Sequence, residues 1–323
     1  MKKYKALRPA AILLFAALVA QLAPTAAARA QARYKVFDPK GREVKLEDVI
    51  NALDAADVLF IGETHDDAIA HALEAEMLRR ADERYSQGAR PGRALALSLE
   101  MFERDVQTVL DEYLAGLITE RHFLLSSRPW GNYAGDYRPL VEYARAHKLP
   151  VIAANAPARY VTRVSAQGPG SLASLSKEAR GWLPPLPFPE ASAPYAAKFN
   201  AFMGAASAGG QSPHGAAAPA QPQSNSNPHG GLHLLEAQTL RDASMAHAVS
   251  EFLKRGGDAL VVQVNGTFHS EQRMGVPEQL AHYRKKTRSV VVTIVPDAAG
   301  SGFDAARMGD LGDFVILTDA REN

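Results

Sequence analysis

The sequence predicts an α/β fold in which a mostly parallel sheet is flanked by helices on both faces. Short apolar runs alternate with longer segments in which apolar residues recur at helical spacing. The apolar runs are continuous, which is typical of parallel strands that are buried on both faces. We therefore expect a ligand site at the carboxyl ends of these strands.

The strands and helices can be assigned in chain order. The apolar runs predict strands at 34–37, 57–61, 94–99, 150–154, 259–264, 289–295 and 314–318, with a turn at 38–41. Helical spacing predicts helices over 46–53, 68–85, 104–114, 119–125, 137–147 and 232–255. Helices of this length can serve as the crossovers that parallel strands require.

The charge balance disfavours a nucleic-acid-binding protein. The 323 residues contain 36 Lys and Arg and 35 Asp and Glu, a formal net charge of +1. Five of the basic residues lie within positions 1–30, which contain no acidic residue, so positions 31–323 carry a formal charge of −4. Phosphate binding needs a basic excess on the working part of the chain. No glycine-rich phosphate-binding motif is present, so nucleotide cofactors are not indicated either.

Residues 1–30 have the pattern of a cleavable signal peptide. A basic start precedes the apolar run Ala10–Ala23, and Ala28-Arg29-Ala30 has small residues at the positions that a signal peptidase recognises. The run is shorter than the roughly 20 apolar residues that span a bilayer, which disfavours a membrane anchor. The sequence contains no cysteine, which excludes a lipidated cysteine, disulfides and thiolate metal sites. We expect a periplasmic or secreted mature chain without a lipid anchor.

Residues 31–323 are predicted to form a single α/β domain that is interrupted by one insertion. The stretch 204–231 has no charged residue and is composed of Ala, Gly, Ser, Pro, Gln, Asn and His. It cannot bury enough apolar surface to offset its ordering entropy, so it is predicted to be disordered. His229 within it and His233 just beyond it could reach over a site and bind metal or haem; the alternative is a solvated surface loop.

Polar residues follow directly after four of the predicted strands. They are Gly62, Glu63 and His65 after strand 57–61, Glu100 after strand 94–99, Asn155 after strand 150–154, and Gly266 and His269 after strand 259–264. Because the carboxyl ends of parallel strands share one edge of the sheet, these residues are expected to converge in one cleft. The glycines permit a tight exit from a strand, so they and Asn155 are expected to shape this cleft.

The histidines and glutamates of this set could carry chemistry. The imidazoles of His65 and His269 can bind a metal ion, ligate haem iron or transfer protons near neutral pH. Glu63 and Glu100 could complete a metal shell or act as a general base on water. The alternative for any single residue is structural, as a hydrogen-bonded histidine or a glutamate at a helix start. His71, in the following helix, fits packing at least as well.

Five motifs in order resemble those of the ChaN-like haem-binding family. They are Val58–His65 with His71, Leu99–Phe102, Tyr137–Leu140, Glu236–Asp242, and Gly266–His269 with Gly275–Pro277. That family belongs to the Tiki, TraB and erythromycin-esterase superfamily, whose shared marks are two Gly-x-x-His motifs and a glutamate. The resemblance covers residues 55–295, interrupted by the insertion.

The resemblance implies a periplasmic or surface haem-binding protein that serves haem and iron acquisition. Its partners would be haem and an iron or haem transport system, and a homodimer is compatible with this role. The haem ligand is not fixed by the motifs. Tyr195, His229 and His233 are the candidate ligands, although Tyr195 could instead be an aromatic residue that packs a helix.

A second hypothesis, implied by the superfamily, is a metal-dependent hydrolase of ester or peptide bonds. His65, Glu100 and His269 would hold a divalent ion, and Glu63 would assist in activating water. A third hypothesis is a partner-binding module with an inert cleft. We expect haem binding rather than catalysis.

Overall fold

The computed structural model describes residues 33–87, 93–207, 232–255, 257–297 and 299–319. The predicted leader lies outside these ranges, as do residues 208–231 of the predicted insertion, including His229. Within the described ranges, no helix is both long and apolar enough to cross a membrane.

The described part of the chain forms one sheet of eight strands. They are β1 (Tyr34–Phe37), β2 (Glu43–Val44), β3 (Val58–Glu63), β4 (Ala94–Glu103), β5 (Val151–Asn155), β6 (Ala259–Gly266), β7 (Ser289–Pro296) and β8 (Phe314–Thr318). Their order across the sheet is β2-β1-β8-β7-β3-β6-β4-β5. The pairs from β8 to β5 are parallel, whereas β1 pairs antiparallel with both β2 and β8. The predicted mostly parallel α/β fold is confirmed.

The helices lie between the strands along the chain. They are α1 (Leu46–Ala52), α2 (Ala68–Ala81), α3 (Gln107–Leu114), α4 (Glu120–Ser127), α5 (Arg138–His147), α6 (Ala158–Gln167), α7 (Lys177–Arg180), α8 (Ala193–Ser207), α9 (Leu234–Leu253), α10 (Val276–Tyr283) and α11 (Ala305–Met308). α8 continues through positions 204–207, which composition assigned to the insertion. Three of these four residues are Ala or Ser, and alanine is the strongest helix former.

Alternate residues of the central strands pack into separate cores on the two faces of the sheet. In β3, Leu59 and Ile61 belong to one core, together with residues of α1 to α5. Val58 and Phe60 belong to the other core, to which α9 and α10 contribute. Full burial of such a side chain stabilises the fold by about 1.5–3 kcal/mol. The sheet is therefore covered on both faces, and its carboxyl edge remains as the place for a site.

Candidate functional site

The carboxyl ends of β3, β4 and β6 bring the predicted strand-end residues to one edge. Glu63 is paired in register with Gly266 across the parallel strands β3 and β6. β4 extends to Glu103, beyond the predicted end at position 99, so Glu100 lies within a strand, next to the last residue that pairs with β6. The edge therefore presents groups from three neighbouring strands.

Glu63 is the centre of a buried hydrogen-bonded cluster. Its Oε1 accepts a hydrogen bond from the Tyr137 hydroxyl at 2.8 Å and lies 2.7 Å from His65 Nδ1. Its Oε2 lies 2.9 Å from Nε2 of His71, on α2. Burial raises the pKa of Glu63, but the hydrogen bonds and charges of His65 and His71 outweigh burial and hold this pKa below its ordinary value. Glu63 is therefore an ionised carboxylate that orients two imidazoles.

His65 is held at one ring nitrogen, and its side chain is partly exposed. The edge of the Trp130 ring meets His65 at a centroid distance of 4.8 Å, and Asn132 donates a hydrogen bond to the His65 carbonyl at 2.9 Å. The side chain is 19% exposed. Burial lowers the pKa of His65, but the bond to Glu63 and the charge of Glu100 raise it above its ordinary value. His65 is thus an oriented, accessible imidazole.

His269 lies between two carboxylates and is almost fully buried. Its Nδ1 is 2.6 Å from Oδ1 of Asp242, on α9, and its Nε2 is 3.2 Å from Glu100 Oε1. Burial disfavours the charged ring, but Glu100 and Asp242 raise the pKa of His269 to about 10. Tyr195 donates a hydrogen bond to the second oxygen of Asp242, and Gln238 contacts the ring of His269 at 3.3 Å. His269 is therefore a buried imidazolium at neutral pH.

Gly266 joins the two clusters. Its backbone N–H donates to Glu100 Oε2 at 2.8 Å, and a Cβ atom at this position would lie 2.9 Å from the Cε1 and Nε2 atoms of His65. The next residue, Thr267, donates its hydroxyl to the Glu63 carbonyl at 2.9 Å. The structure thus brings together four of the strand-end residues, which are Glu63, His65, Glu100 and His269.

The other two predicted cleft-shaping residues have different surroundings. A Cβ at Gly62 would lie 2.9 Å from Ser270 Oγ, so this glycine allows close packing of the strand exit. Asn155 is buried at the end of β5, where it accepts a weak hydrogen bond from Arg241 at 3.4 Å. No contact places Asn155 against His65 or His269 within the described residues.

Of the three predicted haem ligands, the structure describes Tyr195 and His233. Tyr195 is 1% exposed and donates a hydrogen bond to Asp242, and burial together with that charge raises its pKa well above the ordinary value. A tyrosinate ligand needs an accessible, ionised hydroxyl, and this arrangement provides neither. His233 starts α9 with its side chain 43% exposed and its Nδ1 3.0 Å from Glu236 Oε1. His229 lies outside the described residues.

The residues predicted as metal ligands do not form one group of close ligand atoms. His65, Glu100 and His269 are not among the groups of the described part of the chain whose ligand atoms lie close enough to share one ion. His65 Nδ1 is occupied by Glu63, and both nitrogens of His269 contact carboxylates. The group that does qualify is Glu63 with His71 and Glu74, all three of them buried.

Several functional residues were missed by reasoning from strand ends, because they lie on helices. Asp242 on α9, Tyr137 beside α5 and Glu74 on α2 all contact or approach the strand-end groups. A usable signal was present for α2, where His71 and Glu74 stand three residues apart on the same side as Met77 and Leu78. A charged pair on the apolar face of a helix indicates a buried polar partner.

A half-buried aromatic surface lies beside His269. Phe268 contacts Phe202 at a ring-centroid distance of 5.2 Å and Phe199 at 6.2 Å. Lys198 lies 4.2 Å from the Phe268 ring centroid and donates to the Phe268 carbonyl at 2.9 Å. α8 therefore presents apolar rings and one cation next to the strand-end cluster.

Comparison with known proteins identifies the family. Residues 49–280 match the protein family described as haem-binding uptake, Tiki superfamily, ChaN. Among solved structures, the fold is similar to ChaN of Campylobacter jejuni with cofacially bound haem, at 16% identity and a TM-score of 0.59, over 88% of this chain and 97% of that one. A more distant likeness, at 10% identity and a TM-score of 0.45, is to a mutant of the erythromycin esterase EreC, over 81% of this chain and 77% of that one.

The chain is also similar to a plant protein. It is 25% identical over 257 residues to Protein RETICULATA-RELATED 5, a chloroplastic protein of Arabidopsis thaliana. The match covers 75% of this chain but 31% of that relative, so the chain spans less than a third of the relative's length. The family match, by contrast, covers more than two thirds of the chain and confirms the resemblance inferred from the five motifs. This protein therefore belongs to the haem-binding ChaN family of the Tiki superfamily.

Proposed function

We propose that this chain is an exported haem-binding protein that contributes to haem and iron acquisition. The observation that carries the proposal is the match of residues 49–280 to the haem-binding uptake family. The signal-peptide pattern of residues 1–30 supports a periplasmic or secreted location. Delivery of the bound haem would require a haem or iron transport system as partner, and a homodimer is compatible with this role.

The haem would bind against the aromatic surface of α8. A porphyrin needs a large apolar contact area and an axial ligand to its iron. Half-buried Phe199, Phe202 and Phe268 offer the apolar area. His233 is the candidate ligand with an accessible imidazole. It precedes Gln238, which contacts His269, by five residues, or about 7.5 Å along α9. The residues present are therefore compatible with haem.

Haemin titration tests the proposal directly. We expect a saturable Soret shift with the full chain, and a roughly 10- to 100-fold weaker affinity in His233→Ala. His282→Ala is the matched control, because it also removes an exposed histidine but does so at the far end of α10. Absence of a saturable shift in the unmodified chain would contradict haem binding. Equal affinity of both variants would contradict His233 as the ligand and leave haem binding intact.

The exported location has its own test. N-terminal sequencing of the protein from the periplasmic fraction of the native host should show a chain that starts near residue 31. A periplasmic chain that still begins at Met1 would contradict cleavage of the leader.

A second candidate function is hydrolysis of an ester or peptide bond, which the Glu63–His65 pair favours. Glu63 fixes the Nδ1 side of His65, so the opposite nitrogen faces the edge near Gly266 and Glu100. There it could take a proton from a water molecule that attacks a carbonyl carbon, and return that proton to the leaving oxygen or nitrogen. A p-nitrophenyl ester assay tests this: turnover should fall by about 100-fold or more in His65→Asn. Equal turnover in both proteins would reject His65 as the base.

A further inference from the structure

Three buried side chains face one another behind His65. Glu63 lies at the end of β3, and His71 and Glu74 lie one turn apart on α2. A ligand atom from each of the three lies within 4.8 Å of the other two. Their exposed fractions are 1%, 5% and 0%. The cluster is separate from the aromatic surface proposed for haem, because it lies on the face of the sheet that α2 covers.

The Glu74 carboxylate has no hydrogen-bond partner at either oxygen among the described residues. The other two atoms of the cluster, Glu63 Oε2 and His71 Nε2, lie 2.9 Å apart. Buried carboxylates in folded proteins are normally paired or bound to a metal ion, because an unpaired buried charge is costly. A metal ion would accept lone pairs from Glu74 as well as from Glu63 and His71.

We propose that Glu63, His71 and Glu74 bind one divalent first-row transition-metal ion, of the class of Zn²⁺ or Mn²⁺. The two carboxylates would balance the charge of the ion. One imidazole with two carboxylates suits these metals better than Mg²⁺ or Ca²⁺, which prefer oxygen ligands throughout. Ions of this class bind nitrogen and oxygen at about 2.0–2.2 Å, so ligand atoms around one ion stand about 3–4.4 Å apart. The observed separations require only small side-chain shifts.

The surrounding residues already orient the three ligands. Asp136 Oδ1 lies 3.3 Å from His71 Nδ1, which leaves Nε2 for the ion. Carboxylate partners of this kind fix the orientation of metal-binding histidines. On Glu63, Tyr137 and His65 both occupy Oε1, so Oε2 faces the cluster, where it lies 2.9 Å from His71 Nε2. The ion would thus hold α2 against β3 and fix the carboxylate that orients His65.

The test measures metal content and thermal stability of the full chain. The protein is purified, analysed by elemental mass spectrometry, stripped with a chelator and titrated with Zn²⁺ alone and Mn²⁺ alone. We expect about one equivalent of metal in the unmodified chain and below about 0.1 in Glu74→Gln, with a metal-induced rise of the unfolding midpoint in the former alone. Asp82→Asn is the matched control, because it changes a fully buried carboxylate at the end of the same helix and should keep the metal.

Two results would overturn the proposal. One is an unmodified chain that neither contains metal nor gains stability with either ion. The other is a Glu74→Gln variant that retains its full equivalent. If this variant does not fold, X-ray absorption on the metal-loaded unmodified chain decides: one imidazole with oxygen ligands supports the site, whereas no imidazole or two imidazoles rejects it. His233→Ala should retain the metal, which separates this site from haem binding.

Discussion

The two strand-end histidines have different surroundings and therefore different chemistry. His269 is enclosed by Asp242 and Glu100, whereas His65 has one carboxylate contact, with Glu63, and a partly exposed ring. A buried imidazolium between two carboxylates serves as a fixed charge that holds α9 to β4. An imidazole with one anchored nitrogen and one accessible edge can exchange protons with a ligand or with water. Chemistry at this edge is thus expected to depend on His65.

The charge of His269 predicts a dependence of stability on pH. Its pKa is raised in the folded chain from 6.5 to about 10, by Glu100 and Asp242 against the opposing effect of burial. The stabilisation is therefore fully present below pH 6.5 and is lost as the pH rises toward 10. Asp242→Asn removes one of the two charges that stabilise the imidazolium. Over this pH interval, the free energy of unfolding of the variant should therefore decrease by about 1–3 kcal/mol less than that of the unmodified chain. Urea unfolding at several pH values measures both slopes, and parallel slopes would contradict a charged His269.

A glycine at position 266 is predicted to be required for stability and for the position of His65, for steric reasons alone. Its φ of −58° and ψ of 141° are open to any residue, so no backbone strain opposes a side chain. A Cβ would instead stand 2.9 Å from two atoms of the His65 ring, which Glu63 and Trp130 hold in place. Gly266→Ala should therefore cost about 1–3 kcal/mol in the free energy of unfolding and displace His65.

Thermal or urea unfolding measures this cost against a control. Gly170→Ala is suitable, because a Cβ there would meet nothing within 4 Å, and its effect should stay within about 0.5 kcal/mol. If the two alanine variants were equally stable, His65 would not be held as the structure places it.

At the scale of the element, α2 carries two of the buried polar groups, and its start is fixed by Asp67. Asp67 Oδ1 accepts from the N–H groups of Ile69 at 2.8 Å and Ala70 at 3.2 Å, and its second oxygen accepts from Thr318 of β8. Asp67→Ala should destabilise the protein by about 1–2 kcal/mol and speed amide exchange in the first turn of α2. Asp304→Ala, which uncaps the four-residue α11, should change stability by less than about 0.5 kcal/mol. Equal effects would show that capping does not fix α2.

The strands could be predicted from the sequence, whereas several helices could not. Continuous apolar runs of five to eight residues have few interpretations, and β8 was predicted with the bounds that the structure has, as was the four-residue β1. β2 has two residues, too few for a pattern. α8 is apolar on all sides, and α10 has a proline at its second position, so neither shows a clear stripe with ordinary caps.

Prediction of the site residues from the sequence has the same limit: strand ends could be located, but helix faces could not. Glu63, His65, Glu100 and His269 could be placed at one edge because parallel strands end together. Asp242 could not, since which face of a helix meets the sheet depends on tertiary packing, and Glu74 could be placed only on the apolar side of α2. The pairing of Glu63 Oε1 with His65 and Tyr137, which turns Oε2 toward His71, is likewise visible only in three dimensions.

At the scale of the whole molecule, the site depends on pairing between distant parts of the chain. β3 lies between β6 and β7, and β4 lies between β5 and β6, so strands from before and after the predicted insertion alternate in the centre of the sheet. Glu63 and Gly266, which are adjacent in register, are separated by more than 200 residues. The cluster can therefore form only when β3, β4 and β6 have paired.

This arrangement leads to a prediction for residues 208–231, which composition marks as a disordered insertion. The helices that flank this segment contact the core without it: Tyr195 of α8 is bonded to Asp242 of α9, and the α9 residues Met245 and Val249 pack under the sheet. A chain that lacks 208–231 should therefore unfold cooperatively, with a midpoint within about 2–4 °C of the intact chain. Removal of an equally long segment shifted to 215–238 is the control, since it cuts into α9 and should lower the midpoint strongly. Loss of cooperative unfolding in the first deletion would show that the segment is part of the folded core. A disordered loop makes no packing contacts, so its removal could not abolish cooperative unfolding.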